Sequence, residues 1–113
     1  MTDFCAMTSD QLDGWLAVRV MGGNEFFSTT YALHNGRCWQ PTCDLNQAVK
    51  CAEKWVNISP KNRRLLLTLN DKNYYVQLFE YQEPHEKSVG IGQGNNPARA
   101  LCEAVAMAME GEK

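Results

Sequence analysis

Three segments in which apolar residues recur at helical spacing do most to limit how this chain can fold. The stripes are Leu12, Trp15, Leu16 and Val20; then Leu45, Ala48, Val49, Ala52 and Trp55; then Ala98, Leu101, Cys102, Val105, Ala108 and Met109. A helix with a single apolar stripe must bury it against another element, and a sheet is the natural cover. The pattern predicts an α+β fold, a small layered α-β-α sandwich with a mostly antiparallel sheet.

Short signals mark the ends of the three helices. Thr8 and Gln11 stand at capping-box spacing, so the first helix begins near Thr8. Pro97 suits the first turn of the third helix, where no backbone N–H is needed. The other predicted end signals are polar, glycine or proline residues: Gly22-Gly23 after the first helix, Thr42 or Asp44 before the second, Ser59-Pro60 after it, and Asn95 or Asn96 before the third.

The segments between the helices predict short strands and loops. Tyr31 to Trp39 is typical of a short strand or tight hairpin, because it contains the turn pair Asn35-Gly36. Leu65 to Leu69 and Tyr74 to Phe79, joined by polar residues 70–73, predict an antiparallel hairpin. Residues 24–30 have weak periodicity and are expected to form a loop or an irregular edge. Residues 83–96 are polar and contain Gly90, Gly92 and Gly94, which favours a loop.

Length and charge narrow the class of protein. The chain has 113 residues, which predicts one domain over 1–113 with an ordered core of about 8–110. Its net charge of −2 lacks the basic surplus of a general nucleic-acid binder. No apolar run is long enough to span a bilayer, and no secretory signal is recognisable, so we expect a cytoplasmic protein.

The five cysteines are also consistent with a cytoplasmic protein, because thiols stay reduced in the cytoplasm. An odd number without small-scaffold spacing argues against a disulfide framework. Cys38, Cys43 and Cys51 form no Cys-x-x-Cys pair, which argues against structural zinc. We expect reduced, mostly buried thiols, and we expect neither a metal nor another cofactor.

Four stretches of the chain resemble the phage ABA sandwich domain family, which consists of small phage and prophage proteins. They are the opening helix from Gln11 to Gly22, the segment Trp39 to Leu45, the helix Asn46 to Trp55 and the closing helix Asn96 to Met109. Together they span roughly residues 8–110. Gly23 stands where an aromatic residue usually follows the turn in that family. The resemblance implies a phage or prophage origin and a layered α/β fold, and it implies no particular activity.

The glycine-rich run before the third helix is the first candidate site. Helix N-termini carry free N–H groups and a partial positive charge, so such a run can bind a phosphate or carboxylate. The candidate residues are Gly92, Gly94, Asn95, Asn96 and Arg99. The spacing matches neither a P-loop nor a dinucleotide fingerprint. A flexible loop with an asparagine cap is the simpler interpretation.

The same run invites comparison with the end of double-stranded-RNA-binding domains. Those domains need several lysines at the start of the helix to meet phosphates. Here Arg99 is the only basic residue at that point, and a helix is expected to interrupt the strand order. We therefore regard this resemblance as much the weaker one.

Aromatic residues beside arginines form the second candidate site. Adjacent strand residues point to opposite faces of a sheet, so one of Tyr74 and Tyr75 is expected to meet solvent. An exposed tyrosine or tryptophan near arginine could anchor a protein partner or stack on a base. The residues chosen for partner binding are Trp39, Arg63, Arg64 and Tyr75.

No catalytic constellation meets the geometric roles that an active site requires. His34 and Cys38 could form a nucleophile–base pair, but a structural cysteine beside a surface histidine is the simpler interpretation. We therefore expect a non-enzymatic phage accessory protein that binds a host protein, as a counter-defence inhibitor for example. Sequestration of a small anionic ligand such as a nucleotide is the alternative. The edge strands of a small open sheet also suggest a homo-oligomer.

Overall fold

The computed structural model describes residues 2–20, 32–34 and 37–111, and gives only the backbone of 32–34 and 37–39. Within these ranges, a short 3₁₀ turn at Phe4–Ala6 precedes eight helices and strands. They are α1 (Ser9–Arg19), β1 (Ala32–His34), β2 (Arg37–Trp39), α2 (Leu45–Ile58), β3 (Arg63–Asn70), β4 (Asn73–Gln82), β5 (His85–Gly94) and α3 (Pro97–Glu110). The α+β class is confirmed, as is the order of helix, hairpin, helix, hairpin and helix, with one further strand before α3.

The strands form two antiparallel sheets. β1 pairs with β2, which confirms the first predicted hairpin, although its turn residues 35 and 36 lie outside the described residues. β3, β4 and β5 form the larger sheet in that order. The hairpin between β3 and β4 turns at Asp71 and Lys72, with Asp71 at a φ of 55°. Both strands are longer than the apolar runs that predicted them.

The prediction of a loop over 83–96 is wrong, because most of this segment is β5. Gly92 pairs with Val76 and Gly90 pairs with Leu78, and both glycines are buried against α3. A Cβ at Gly92 would collide with the carbonyl group of Ala100, and one at Gly90 with that of Ala104. These glycines let a helix approach a strand closely, which is a role glycine has inside strands.

Three strands therefore follow one another between α2 and α3, with no helix among them. This overturns one of the two objections to the comparison with double-stranded-RNA-binding domains, the one from strand order. The objection from charge is unaffected.

The helix caps agree closely with the sequence. Thr8 and Gln11 form the expected capping box, with N–H to side-chain oxygen distances of 3.2 and 3.0 Å. Asp44, rather than Thr42, caps α2, and Asn96, rather than Asn95, caps α3 with Pro97 in its first turn. The predicted stop at Gly22-Gly23 lies outside the described residues.

The core surrounds α3. One side of α3 packs on β4 and β5, while α1 and α2 contact its other sides, so residues all around α3 are buried. Leu101 and Val105 lie in this core, as expected. Leu45, Val49 and Ala52 were predicted to face the sheet. The prediction is wrong for Leu45 and Val49, which are 43% and 39% exposed, whereas Ala52 is buried. α2 packs mainly on α3, and it does so through Ala48, Cys51, Ala52 and Trp55.

The cysteines of the described part are free thiols. Cys51 and Cys102 are buried, whereas Cys5 and Cys43 are exposed. No disulfide joins these four, and the expected burial holds for only two of them. None of the helices in the described ranges has the length and apolar character needed to cross a bilayer.

Candidate interaction surface

The N-terminus of α3 is closed by its own cap. Asn96 Oδ1 accepts hydrogen bonds from the backbone N–H groups of Ala98 and Arg99 at 3.0 and 3.4 Å. The Asn96 amide also donates to the carbonyl of Thr42 at 2.9 Å. Gly92 lies inside β5, Gly94 ends that strand and Asn95 is exposed beyond it. The five residues of the predicted anion site are close in sequence but do not converge on one open space.

Arg99 is the second reason why the anion site gains no support. Its guanidinium donates from Nε to Glu103 Oε2 at 2.8 Å and from Nη2 to the carbonyls of Met7 and Phe4 at 2.6 and 3.2 Å. A fourth bond, from Nη1, reaches Ser9 Oγ at 3.2 Å. The guanidinium therefore holds the N-terminal segment against α3. Anion binding stays a prediction without a geometric basis.

Two buried acidic groups lie close to this anchor and were missed from the sequence. Asp13 accepts a hydrogen bond from the backbone N–H of Thr42 at 2.9 Å, and its burial raises the pKa of its carboxyl. Glu103 binds Arg99 and also accepts from Cys5 Sγ at 3.3 Å. A usable signal existed for Glu103 alone, because Arg99 precedes it by four residues, the spacing of an ion pair on one helix.

Arg63 was predicted to bind a partner, and it is instead built into the fold. Its side chain is only 7% exposed and pairs with Glu80 at 2.7 Å. Its Nη1 donates to the carbonyl of Trp55 at 2.8 Å, and the guanidinium lies 4.7 Å from the centre of the Trp55 ring. Arg63 thus fastens the start of β3 to the end of α2. Trp39 lies in β2, and its side chain is outside the described part.

Two of the predicted partner residues, Arg64 and Tyr75, lie on the face of the sheet that points away from α3, four residue positions apart. Val76 and Leu78 are fully buried under α3, so the alternate residues of β4 point the other way. We call this side the open face. Its members are Arg64, Leu66 and Thr68 of β3, Tyr75, Gln77, Phe79 and Tyr81 of β4, and Glu86, Ser88, Ile91 and Gln93 of β5. Every one of them is half-buried or exposed.

Arg64 and Glu86 form a bidentate ion pair across the open face. Arg64 Nε and Nη2 donate to the two carboxylate oxygens of Glu86 at 2.8 and 2.7 Å, and the guanidinium lies 4.4 Å from the centre of the Phe79 ring. The hydrogen bonds from Arg64 hold the pKa of Glu86 below its usual range. The pair therefore brings no net charge to a surface whose largest side chains are apolar or aromatic.

A cleft of about 520 Å³ lies at the C-terminal end of α3. Trp55, Val89, Met107 and Ala108 contribute its apolar wall, and Glu80 and Lys87 lie at its rim. Glu80 is already bound by Arg63 and by the Gln82 amide at 3.1 Å. Over the described ranges, no group of three or more histidine, cysteine or acidic side chains is arranged to hold a metal ion.

Comparison with known proteins found no matching family model, no similar curated protein and no similar solved structure. The fold and the open face define a small layered α+β protein with a mostly uncharged sheet surface that no helix of the described ranges covers. The resemblance to the phage ABA sandwich family stays a prediction.

Proposed function

We propose that this protein is a phage- or prophage-encoded accessory protein that acts stoichiometrically, by binding a host protein through the open face. The observation that carries the proposal is the cluster of Leu66, Phe79, Tyr81 and Ile91 on a surface that no described helix buries. Protein interfaces are enriched in aromatic residues and arginine at their centres, with polar side chains around them. The open face has this composition.

The chemistry of the open face favours a protein over a nucleic acid. Phosphate binding needs unpaired basic side chains, whereas Arg64 is neutralised by Glu86. The polar neighbours Thr68, Gln77 and Gln93 carry no charge and can form hydrogen bonds at the rim of an interface. The resemblance to a phage family supports a host partner, and counter-defence is the role that such a partner suggests.

A stoichiometric, non-catalytic role is also consistent with the contacts of the buried acidic side chains, which hold the fold together. Asp13 and Glu103 are engaged in holding Thr42, Arg99 and Cys5 in place. The sequestration of a small anion is not proposed, because Asn96 and Arg99 already use the donors it would need.

The test is a comparison of two charge variants in the bacterial host. Tyr81→Lys changes the open face at a position that is 47% exposed, and Ile58→Lys makes a matched change at the end of α2, which is 55% exposed. Affinity purification of each tagged protein, followed by mass spectrometry, should recover one host protein at near-equal molar amount with wild type and with Ile58→Lys. Tyr81→Lys should lose it.

The candidate partner is then purified and titrated against the three proteins by calorimetry. We expect Tyr81→Lys to weaken binding by about tenfold or more, because an aromatic anchor at an interface typically contributes over ~1.4 kcal/mol. Equal affinity for wild type and Tyr81→Lys would show that the open face is not the binding surface.

A further inference from the structure

Beyond the two arginines at its start, the outer edge of β3 lacks the features by which natural proteins protect an edge strand. The strand is eight residues long and runs Arg-Arg-Leu-Leu-Leu-Thr-Leu-Asn, and its last six residues contain no charge, proline or bulge. Protected edges are usually short, bulged, or interrupted by charged residues or proline. The other outer strand, β5, has Lys87 and an irregularity where Leu78 is followed by Phe79 in the pairing. Of the two outer strands, β3 is therefore the one more available to pair with a strand of another molecule.

The backbone groups available at this edge follow from the hairpin register. Asn70 pairs with Asn73 next to a two-residue turn, and Asn62 accepts a 2.7 Å hydrogen bond from the N–H of Tyr81. Even-numbered residues of β3 therefore bond to β4, because hydrogen-bonded pairs alternate in an antiparallel ladder. The N–H and C=O groups of Leu65, Leu67 and Leu69 point outward. Within the described ranges, no strand pairs with them.

The side chains of the same three leucines are also exposed. They lie on the α3 side of the sheet, since they pair with Leu78, Val76 and Tyr74. α3 packs over β4 and β5, so Leu65, Leu67 and Leu69 are left 37%, 48% and 61% exposed. A partner that adds to this edge gains both backbone hydrogen bonds and apolar contact.

We propose that a second copy of this chain pairs with the β3 edge about a two-fold axis at Leu67, which joins the two sheets into one of six strands. In this antiparallel register Leu67 faces Leu67, and Leu65 faces Leu69 of the second copy. The outward backbone groups then meet in hydrogen-bonded pairs, as an antiparallel ladder requires. Two-fold dimers are the commonest homo-oligomers.

The polar ends of β3 are compatible with this arrangement. Arg63 and Arg64 begin the strand and Asn70 ends it. Antiparallel pairing about Leu67 places Arg64 opposite Asn70 of the second copy. The ion pairs that Arg63 and Arg64 form within each copy then lie at opposite ends of the seam.

The size of the edge predicts a weak dimer. A stable interface uses about 20–30 residues on each side, more than one eight-residue strand provides. We expect a dissociation constant of about 10–100 μM, which sedimentation velocity measures over a range of about 5–500 μM. The wild-type protein should pass from monomer to dimer within this range.

Two charge variants of Leu67, the residue on the proposed two-fold axis, test both the dimer surface and the register of the paired strands. Leu67→Lys and Leu67→Glu each place like charges face to face, and each should weaken self-association by about tenfold or more. An equimolar mixture of the two should associate at least about tenfold more tightly than either variant alone. Val49→Lys on α2, which replaces a residue of similar exposure, should leave the wild-type dimer unchanged.

Three results would overturn the proposal. They are a wild-type monomer at every concentration, equal weakening by Val49→Lys, and a mixture that associates no better than its components. Circular dichroism of each variant separates a blocked edge from a lost fold. Because Tyr81→Lys alters the open face and leaves the edge intact, it should keep the dimer, which makes this test independent of host binding.

Discussion

Arg99 anchors the N-terminal segment, residues 4–9, to α3. One guanidinium binds Glu103, Ser9 and two carbonyls of residues 4–7. Arg99→Ala would leave the Glu103 carboxylate, which is 8% exposed, without its charged partner. Loss of one member of a buried ion pair typically costs about 3–5 kcal/mol. Urea unfolding should show a loss of this size, and a loss below about 1 kcal/mol would contradict the anchoring role.

Asp13 contributes a pH dependence of stability that is opposite in sign to that of the ion-paired surface acids such as Glu86. The pKa of Asp13 is raised in the folded protein, whereas that of Glu86 is lowered. Burial raises the pKa of Asp13 above the ordinary value of 3.8, so the folded protein holds this proton more tightly than the unfolded chain. Its contribution is complete below 3.8 and is lost as the pH rises through the higher folded value. Asp13→Asn keeps an oxygen acceptor for Thr42 and cannot ionise. The variant should therefore gain stability relative to wild type as the pH rises from about 3 to 7. A constant difference in unfolding free energy across that range would show that Asp13 ionises as an ordinary carboxyl does.

Gly92 is required by packing. A Cβ there would lie 2.8 Å from the carbonyl carbon of Ala100, which is closer than real Cβ contacts. Gly92→Ala should destabilise the protein by about 1–3 kcal/mol, as overpacking of a core does. Gly111→Ala is the matched control, since nothing lies within 3.5 Å of a Cβ at Gly111. Equal unfolding midpoints for both variants would remove the packing explanation.

At the scale of elements, α2 and α3 differ in how their apolar residues are used. Leu101 of α3 is 5% exposed, so Leu101→Ala should cost about 2–5 kcal/mol. Val49 of α2 is largely solvated, and Val49→Ala should change the unfolding free energy by less than about 1 kcal/mol. Chemical denaturation of both variants under one set of conditions measures the contrast. A large effect at Val49 would mean that α2 buries a wider stripe.

The elements that the sequence predicted correctly are those that local chemistry determines. The Thr8–Gln11 box, the Asn96 cap and the hairpin at Asp71 each depend on residues within a few positions of one another. β5 was missed because its strand residues are glycines and charged groups, which lack the alternation of a half-buried strand. Their suitability appears only when α3 lies against Gly90 and Gly92. The same limit applies to Arg63 and Arg99, whose partners are fixed by tertiary contacts.

The arrangement of layers belongs to the whole molecule. Apolar stripes on α2 and α3 are compatible with a sheet beneath either helix, and periodicity does not say which helix covers it. The glycines of β5 bring α3 onto the sheet, and α2 then packs on α3. This leaves one sheet face and the β3 edge without a described helix over them. The two proposed interactions use these two surfaces separately.

The rate at which the buried thiols are labelled measures how often the whole molecule unfolds. Cys51 of α2 and Cys102 of α3 are buried in the one core, and burial raises the pKa of Cys51 to about 12. A thiol reagent should label the exposed Cys43 quickly in the native protein. Cys5 should react more slowly, because desolvation and its hydrogen bond to Glu103 raise the pKa of its thiol. Cys51 and Cys102 should react only after global unfolding. Mass spectrometry of labelled peptides across a urea series gives the protection free energy of each thiol. We expect equal values at Cys51 and Cys102, matching the global unfolding free energy, because α1, α2 and the sheet all pack on α3. Faster labelling of Cys51 alone would show that α2 opens independently, and the core would then consist of two cooperative units.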